Sequence, residues 1–154
     1  MGLKKGAFVV DDTVSVDDPY DTTDPNMIQL DTNDPITVAT VDVCVEQPQR
    51  TQVSLDSMAQ IAVANINTGA TSLTFEVKYE IIRNGTTLAI INDEMDYVPT
   101  GTFPDGGRHT NFPNFPILDN NPIGGINTYD LVCTNVSGPS LTFVGSRSLK
   151  ATVL

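Results

Sequence analysis

Leu73-Thr74-Phe75-Glu76-Val77-Lys78-Tyr79-Glu80-Ile81, followed at once by Ile82-Arg83-Asn84-Gly85-Thr86, decides the fold class. Leu73, Phe75, Val77, Tyr79 and Ile81 alternate with Thr74, Glu76, Lys78 and Glu80. That period of two puts one face of a strand in a core and the other in water, whereas a helix would scatter the same residues around its circumference. Asn84-Gly85 then supplies two residues that tolerate positive φ, as a type I′ hairpin turn requires. The pattern therefore predicts that Thr86–Asn92 runs back beside the first strand.

The same reading extends in both directions. Ile36 to Glu46 places Ala39, Val41, Val43 and Val45 on one face of a long strand. Thr51–Ser57 and Met58–Ile66 read as two shorter strands, and Asn67-Thr68-Gly69-Ala70 as a turn. A loop rich in Pro and Gly is expected from about Val98 to Pro116, then strands near Phe115–Leu118, Ile126–Thr134, Ser140–Val144 and Ser148–Leu154. With 154 residues, 18% charged residues, no Trp, and recurrent Thr, Val, Ile, Asn, Gly and Pro, the chain fits one all-β domain. About eight strands separated by turn signals predict a single β-sandwich, an eight-stranded jelly roll.

Charge divides the sequence. Residues 11–49 hold ten acids and no Lys or Arg, while the rest holds nine acids against eight bases, so nearly all of the net charge of −11 lies in one stretch. Residues 1–35 read as an extended acidic N-terminal arm ahead of a sandwich domain at 36–154, with Asp-Pro at 18–19, 24–25 and 34–35. Asp21-Thr22-Thr23-Asp24-Pro25 returns as Asp31-Thr32-Asn33-Asp34-Pro35, two copies and so no solenoid. Phe8, Val10, Val14 and Val16 alternate as one face of an extended strand. Such a strand either pairs with a neighbouring molecule's sheet edge, or packs on its own domain or stays disordered. Asp21, Asp24, Asp31 and Asp34 are the candidates for calcium, a hard cation that takes carboxylate oxygens. Their spacing matches no calcium loop, so a solvated, self-repelling run is the simpler reading; no other cofactor is implied.

Several function classes fall away. The acidic balance argues against nucleic acid, which needs clustered Lys and Arg. No apolar stretch is long enough to cross a bilayer, and the opening apolar run ends at Asp11, too short for a signal-peptide core. Catalysis is not expected: His109 is the single histidine, in a Gly/Pro-rich context that reads as an exposed loop, and no serine lies in a Gly-x-Ser-x-Gly elbow. Lys78 points outward, against isopeptide chemistry. Asn84-Gly85-Thr86 and Asn135-Val136-Ser137 match the glycosylation sequon, the first better explained by its turn. Cys133 is in phase with Tyr129 and Leu131 and should point into the core, whereas Cys44 shares a face with Ile36, Val38, Asp42 and Glu46. A Cys44–Cys133 disulfide requires adjacent strands with Cα atoms within about 7 Å, which sequence does not show; two unpaired thiols are at least as good a reading.

Three stretches carry a family resemblance: Tyr79-Glu80-Ile81-Ile82-Arg83-Asn84-Gly85-Thr86, the turn and strand Asp119-Asn120-Asn121-Pro122-Ile123-Gly124-Gly125-Ile126-Asn127-Thr128-Tyr129-Asp130-Leu131, and the ending Arg147-Ser148-Leu149-Lys150-Ala151-Thr152-Val153-Leu154. In order and spacing they resemble the small jelly-roll proteins of bacterial endospore surfaces, the exosporium and endospore appendages, over roughly Ile36 to Leu154. The resemblance implies a sandwich that assembles into fibres or trimers, and synthesis in the mother cell, so that a surface protein needs no cleaved signal. The cysteines expected in an appendage subunit's N-terminal connector, and the Gly-x-y repeats of exosporium filaments, are absent here. Cross-linked and collagenous parts are therefore not carried over.

The expectation is a self-assembling structural subunit of a cell- or spore-surface fibre, its partners copies of itself and other surface-layer proteins, polymerising by addition of the strand at Phe8, Val10, Val14 and Val16. The alternative is a trimeric recognition head, of exosporium or phage-tip type, that binds a glycan or surface receptor, with Phe112 and Phe115 the aromatic candidates.

Overall fold

The computed structural model describes residues 8–66, 73–97, 107–137 and 141–154. Ten strands lie among them: β1 (Phe8–Val14), β2 (Ile28–Gln29), β3 (Ile36–Val45), β4 (Val53–Ile66), β5 (Leu73–Arg83), β6 (Thr86–Tyr97), β7 (Gly107–Asn111), β8 (Ile117–Asp119), β9 (Gly125–Ser137) and β10 (Leu141–Val153), with one 3-10 turn at Pro48–Arg50. The central hairpin forms as its sequence dictates. Phe75, Val77, Tyr79 and Ile81 are buried, and Asn84 (φ 47°) and Gly85 (φ 83°) occupy the left-handed region between β5 and β6.

The strands form two antiparallel sheets, β1-β10-β4-β7 and β3-β9-β5-β6, with the short β2 added to β10 and β8 to β4. Counted along the chain, the eight longer strands run first, eighth, third, sixth in one sheet and second, seventh, fourth, fifth in the other. Each strand is thus hydrogen-bonded to its mirror partner in sequence: first with eighth, second with seventh, third with sixth, fourth with fifth. This nested pairing is the jelly roll, a double Greek key. The core between the sheets is built by Val41, Val43, Val45, Val53, Leu55, Tyr79, Ile81, Tyr129, Leu131, Cys133 and Leu149, all buried.

The N-terminal segment departs from the expected arm. β1 is the first strand of the roll itself, antiparallel to β10 in seven consecutive pairs from Phe8↔Val153 to Val14↔Arg147. The boundary at 35/36 is therefore no domain boundary. Residues 15–27 then form a strap over the outer face of the same sheet, after which β2 rejoins the edge of β10 and Ile28 and Leu30 turn into the core. Val16 exchanges backbone bonds with the Ser146 hydroxyl (2.9 and 3.1 Å), the Tyr20 hydroxyl meets Thr110 Oγ1 at 2.6 Å, and Arg108 stacks over the Tyr20 ring at 4.5 Å. A solvated run of charge would have left that face bare; instead the strap's backbone and Tyr20 cover it.

Three further expectations are corrected. Thr51–Ser57 and Met58–Ile66 are one strand, β4. Ser140–Val144 and Ser148–Leu154 are one strand, β10, interrupted by a bulge after Val144, where Gly145 faces Gln60 Oε1 so closely that a Cβ would lie 2.6 Å from it. The stretch from Val98 to Pro116 is not all loop, since it contains β7. The turn expected at Asn67–Ala70 lies outside the described residues.

Candidate assembly edges and polar seams

A two-sheet sandwich has two open sides where edge strands face each other across the core, and both sides here carry polar groups that point inward. On the first side β1 faces β3. Asp12 pairs with Leu149 and lies on the inner face; its Oδ2 accepts the Thr40 backbone N–H at 2.9 Å, satisfying a donor on the free edge of β3. Arg147 is buried on the same side. Its Nε donates to the Val38 carbonyl at 2.8 Å, and its Nη1 to the carbonyls of Asn26 (2.7 Å) and Gly145 (3.0 Å). Val38 is the extra residue of a bulge in β3, so its carbonyl is released from the ladder and available to the guanidinium. Burial draws the Arg147 guanidinium below its ordinary value, opposed by the Asp12 carboxylate.

On the second side β6 faces β7. Asp93 pairs with Val77, His109 with Val63 and Asn111 with Ile61, all inner-face positions. Asn111 Nδ2 donates to both oxygens of Asp93 at 3.1 Å, which turns its Oδ1 toward His109 Nε2, 2.6 Å away; the ring therefore donates from Nε2. Ile61, Val63, Phe75, Val77 and Met95 complete the lining of a cavity of about 10 Å³ behind these groups, room for about one water. His109 is thus a half-buried strand residue, correcting the exposed-loop expectation. Its partner is an amide, an arrangement that orients a ring but supplies no nucleophile.

A third polar cluster closes the hairpin end. Arg83 Nη1 donates to Asp119 Oδ1 and Oδ2 (2.8 and 2.7 Å) and to the Asn121 carbonyl (2.7 Å), while the Tyr129 hydroxyl donates to Asp119 Oδ2 at 2.8 Å. Burial, then the bond to the Asp119 carboxylate, pushes the Tyr129 phenol up. Two of the three stretches that carry the family resemblance meet here, so their order and spacing serve the scaffold.

The remaining site candidates separate. Phe8, Val10 and Val14 share the inner face of β1 against the chain's own β10, with Val10 packed on the core; Val16 is buried just beyond it. Asp21 and Asp24 accept the backbone N–H of Thr23 (2.9 Å) and Asn26 (2.8 Å), local turns of the kind Asp favours, and the Thr23 hydroxyl at 2.6 Å, then the Thr23 N–H, hold the Asp21 carboxyl below its ordinary range. Asp31 and Asp34 are exposed, and among the described residues no three ligating side chains converge, so the four aspartates do not build a calcium site. Cys44 and Cys133 lie on adjacent strands, yet Cys44 pairs with Ile126 and Cys133 with Ile36. Eight residues of strand at about 3.3 Å each separate them, and an intrachain disulfide is excluded; Cys44 is exposed and Cys133 buried. Phe115 packs on the core while Phe112 is 57% exposed. Asn135 is buried, which removes it as a glycosylation acceptor in the folded chain.

Sequence reasoning missed Asp12, Arg147, Asp93 and Asn111. The only signal was an acid at an inward position of two edge strands, a known device against edge pairing.

The outer face of the six-stranded sheet has one more feature, a shallow groove of about 270 Å³ lined by Asp11, Thr13, Asp56, Met58, Ser148 and Lys150. Below the strap's crossing at Ser146, three strands present two rows: Asp11, Lys150 and Asp56, then Thr13, Ser148 and Met58.

No family model and no curated protein matches the chain. Among solved structures it is similar to dimeric latent PorU from Porphyromonas gingivalis, at 8% identity over 95% of this chain and 12% of that one (TM-score 0.46). It is also similar to the structure of infectious bursal disease virus Gx strain, at 14% identity over 97% of this chain and 32% of that one (TM-score 0.45). The infectious bursal disease virus VP2 subviral particle gives 17% identity over 96% and 33% (TM-score 0.42). The chain spans about an eighth to a third of these proteins' lengths, and its jelly-roll assignment rests on its own strand order. Among the described residues no helix is long and apolar enough to cross a membrane.

Proposed function

We propose that this chain is a non-catalytic structural subunit that self-assembles at a cell or spore surface, and that its subunits are joined by exchange of β1. The observation that carries this reading is the placement of β1: first in sequence, at the edge of a sheet, and matched to β10 in seven consecutive pairs. The β10 edge that receives β1 within one chain is equally complementary to β1 of a neighbour. Exchange is favoured over simple edge stacking. β1 carries Asp11 and Asp12, and β6, an edge of the other sheet, carries Glu94 and Asp96, so stacking these two intact edges brings like charges together.

Deleting β1 tests this poorly, because Val10 packs on the core and its loss alone costs on the order of 1–2 kcal/mol. Cross-linking is cleaner. Val9 and Thr152 are paired across β1 and β10, within disulfide reach for neighbouring strands. In a Cys44→Ser background, Val9→Cys and Thr152→Cys chains are mixed, assembled and oxidised. Exchange gives a covalent dimer containing one chain of each kind, with filaments in electron micrographs. Filaments without that dimer would move the contact to another surface, and discrete particles without it would leave the recognition-head reading, which the outer groove and the exposed Phe112 favour.

A further inference from the structure

We infer that the groove on the outer face of the six-stranded sheet is a binding site for a neutral, hydroxyl-rich ligand, a glycan. This goes beyond the assembly reading and does not depend on it.

The argument starts from the donor and acceptor complement. Asp11 and Asp56 offer carboxylate oxygens that only accept, Lys150 an ammonium that only donates, and Ser148 and Thr13 hydroxyls that do both. Vicinal hydroxyls of a sugar are each donor and acceptor, so a carboxylate and an ammonium side by side can bind two neighbouring ones with charge-assisted bonds. The groove's own bonds are loose enough to yield: Lys150 Nζ stands 3.8 Å from Asp56 Oδ2 with both side chains about half exposed (50% and 54%), and Thr13 Oγ1 occupies only one oxygen of Asp11, at 3.1 Å. Among the described residues the Ser148 hydroxyl has no side-chain hydrogen bond.

Charge selects within the hydroxylated ligands. Two carboxylates flank one ammonium across the upper row, so a phosphate, sulfate or carboxylate would meet net negative charge. A metal ion would meet the lysine between its two candidate ligands. Apolar surface for the C–H face of a sugar ring comes from Met58, and further along from Phe112. Asn111 points inward, so Phe112 stands on the outer face, two residues before Asn114, which bridges to Met58. The groove's volume, about 270 Å³, is smaller than the roughly 300–1,000 Å³ of pockets that enclose a drug-sized ligand, so a ligand would lie against it and not inside it. The open side leaves room for a chain to continue beyond one or two rings.

The test is a titration of the ¹⁵N-labelled full chain with neutral hexose and N-acetylhexosamine oligosaccharides, with inorganic phosphate and sulfate in parallel. At least one neutral series should give saturable shifts at Thr13, Asp56, Ser148 and Lys150, phosphate and sulfate none. Asp56→Ala and Ser148→Ala, both on the solvent side of the sheet, should each weaken that binding about tenfold without lowering the unfolding midpoint. Absence of saturable shifts with every neutral series, shifts that map to another face, or a stronger response to phosphate would each overturn the inference.

Discussion

The two open sides of the sandwich solve one problem with different chemistry. The β1/β3 side is joined by a cation reaching backbone carbonyls, Arg147 to Val38, Asn26 and Gly145, and by one carboxylate reaching a backbone N–H, Asp12 to Thr40. The β6/β7 side is joined by side chains alone, His109 to Asn111 to Asp93. The difference follows from local backbone geometry. Bulges in β3 and β10 and the strap over the sheet free carbonyls from the ladders, and a guanidinium, with five donors spread over a planar fork, collects three of them from separate directions. Where β6 faces β7, the groups that meet are side chains, and they satisfy one another. The first seam binds segments far apart in sequence, the second two strands consecutive in the chain.

That contrast predicts unequal losses on mutation. Arg147→Met keeps much of the volume and removes all three donors, leaving the buried carbonyls of Val38 and Gly145 unpaired and releasing that of Asn26. The cost should be about 3 kcal/mol, read as a fall in urea midpoint and a Tm lowered by roughly 6–12 °C. Because Asn26 belongs to the strap, proteolysis should cut residues 15–27 before the rest. Equal susceptibility throughout would show that Arg147 only fills space.

Asn111→Leu at the other seam should cost less, about 1–2 kcal/mol. Asp93 and His109 lose their bridge, yet both are only half-buried and can regain water. The distinguishing readout is the strap, which should keep wild-type resistance to proteolysis. If the strap loosens as it does in Arg147→Met, the two sides are one cooperative unit and the comparison fails.

This contrast also marks what was legible in the sequence. β3, β5, β9 and the Asn84-Gly85 turn announce themselves through local alternation and turn chemistry, because each residue's face is set by its immediate neighbours. β10 was split in two because the bulge at Gly145 and Ser146 shifts the period, and its cause, Gln60 reaching into the bulge, lies on another strand. The same holds for Val38: the β3 bulge buries it beside Ala39, where unbroken alternation puts it outside. β1 looked like a detached arm because Asp12 interrupts an apolar face, and the donor that accounts for it, Thr40, is 28 residues away. His109 looked like loop because Gly and Pro dominate its surroundings, while the pairing of β7 with β4 is long-range. Alternation and the register with β10 agree in putting Phe8, Val10 and Val14 on one face of β1, while Val16 lies beyond the strand; whether that face meets its own β10 or a neighbour's depends on chain connectivity, which pattern does not encode.

The smallest expected effect is the most direct comparison of the two seams, because one buried group responds to both. Cys133 is buried in the core and its thiol is pushed up to about 12, first by burial; Arg147 draws it down and Asp93 draws it up. A thiol held protonated in the folded chain and released near its ordinary value in the unfolded chain makes the folded state the one that binds more protons at alkaline pH. Stability is therefore intact below the ordinary thiol range, near 9, and falls as pH rises from there toward about 12. Tyr79, raised to about 12 chiefly by burial, acts in the same direction from its ordinary value of 10 upward. Removing the cation with Arg147→Met should move the Cys133 transition to higher pH, and Asp93→Asn should move it lower, both followed by the Cβ resonance of ¹³C-labelled Cys133 below the unfolding transition. Opposite displacements mean that the two sides hold opposite charges within electrostatic reach of one buried sulfur. Displacements of the same sign would mean that loosening either seam simply admits water, and that the chemical difference between them does not reach the core.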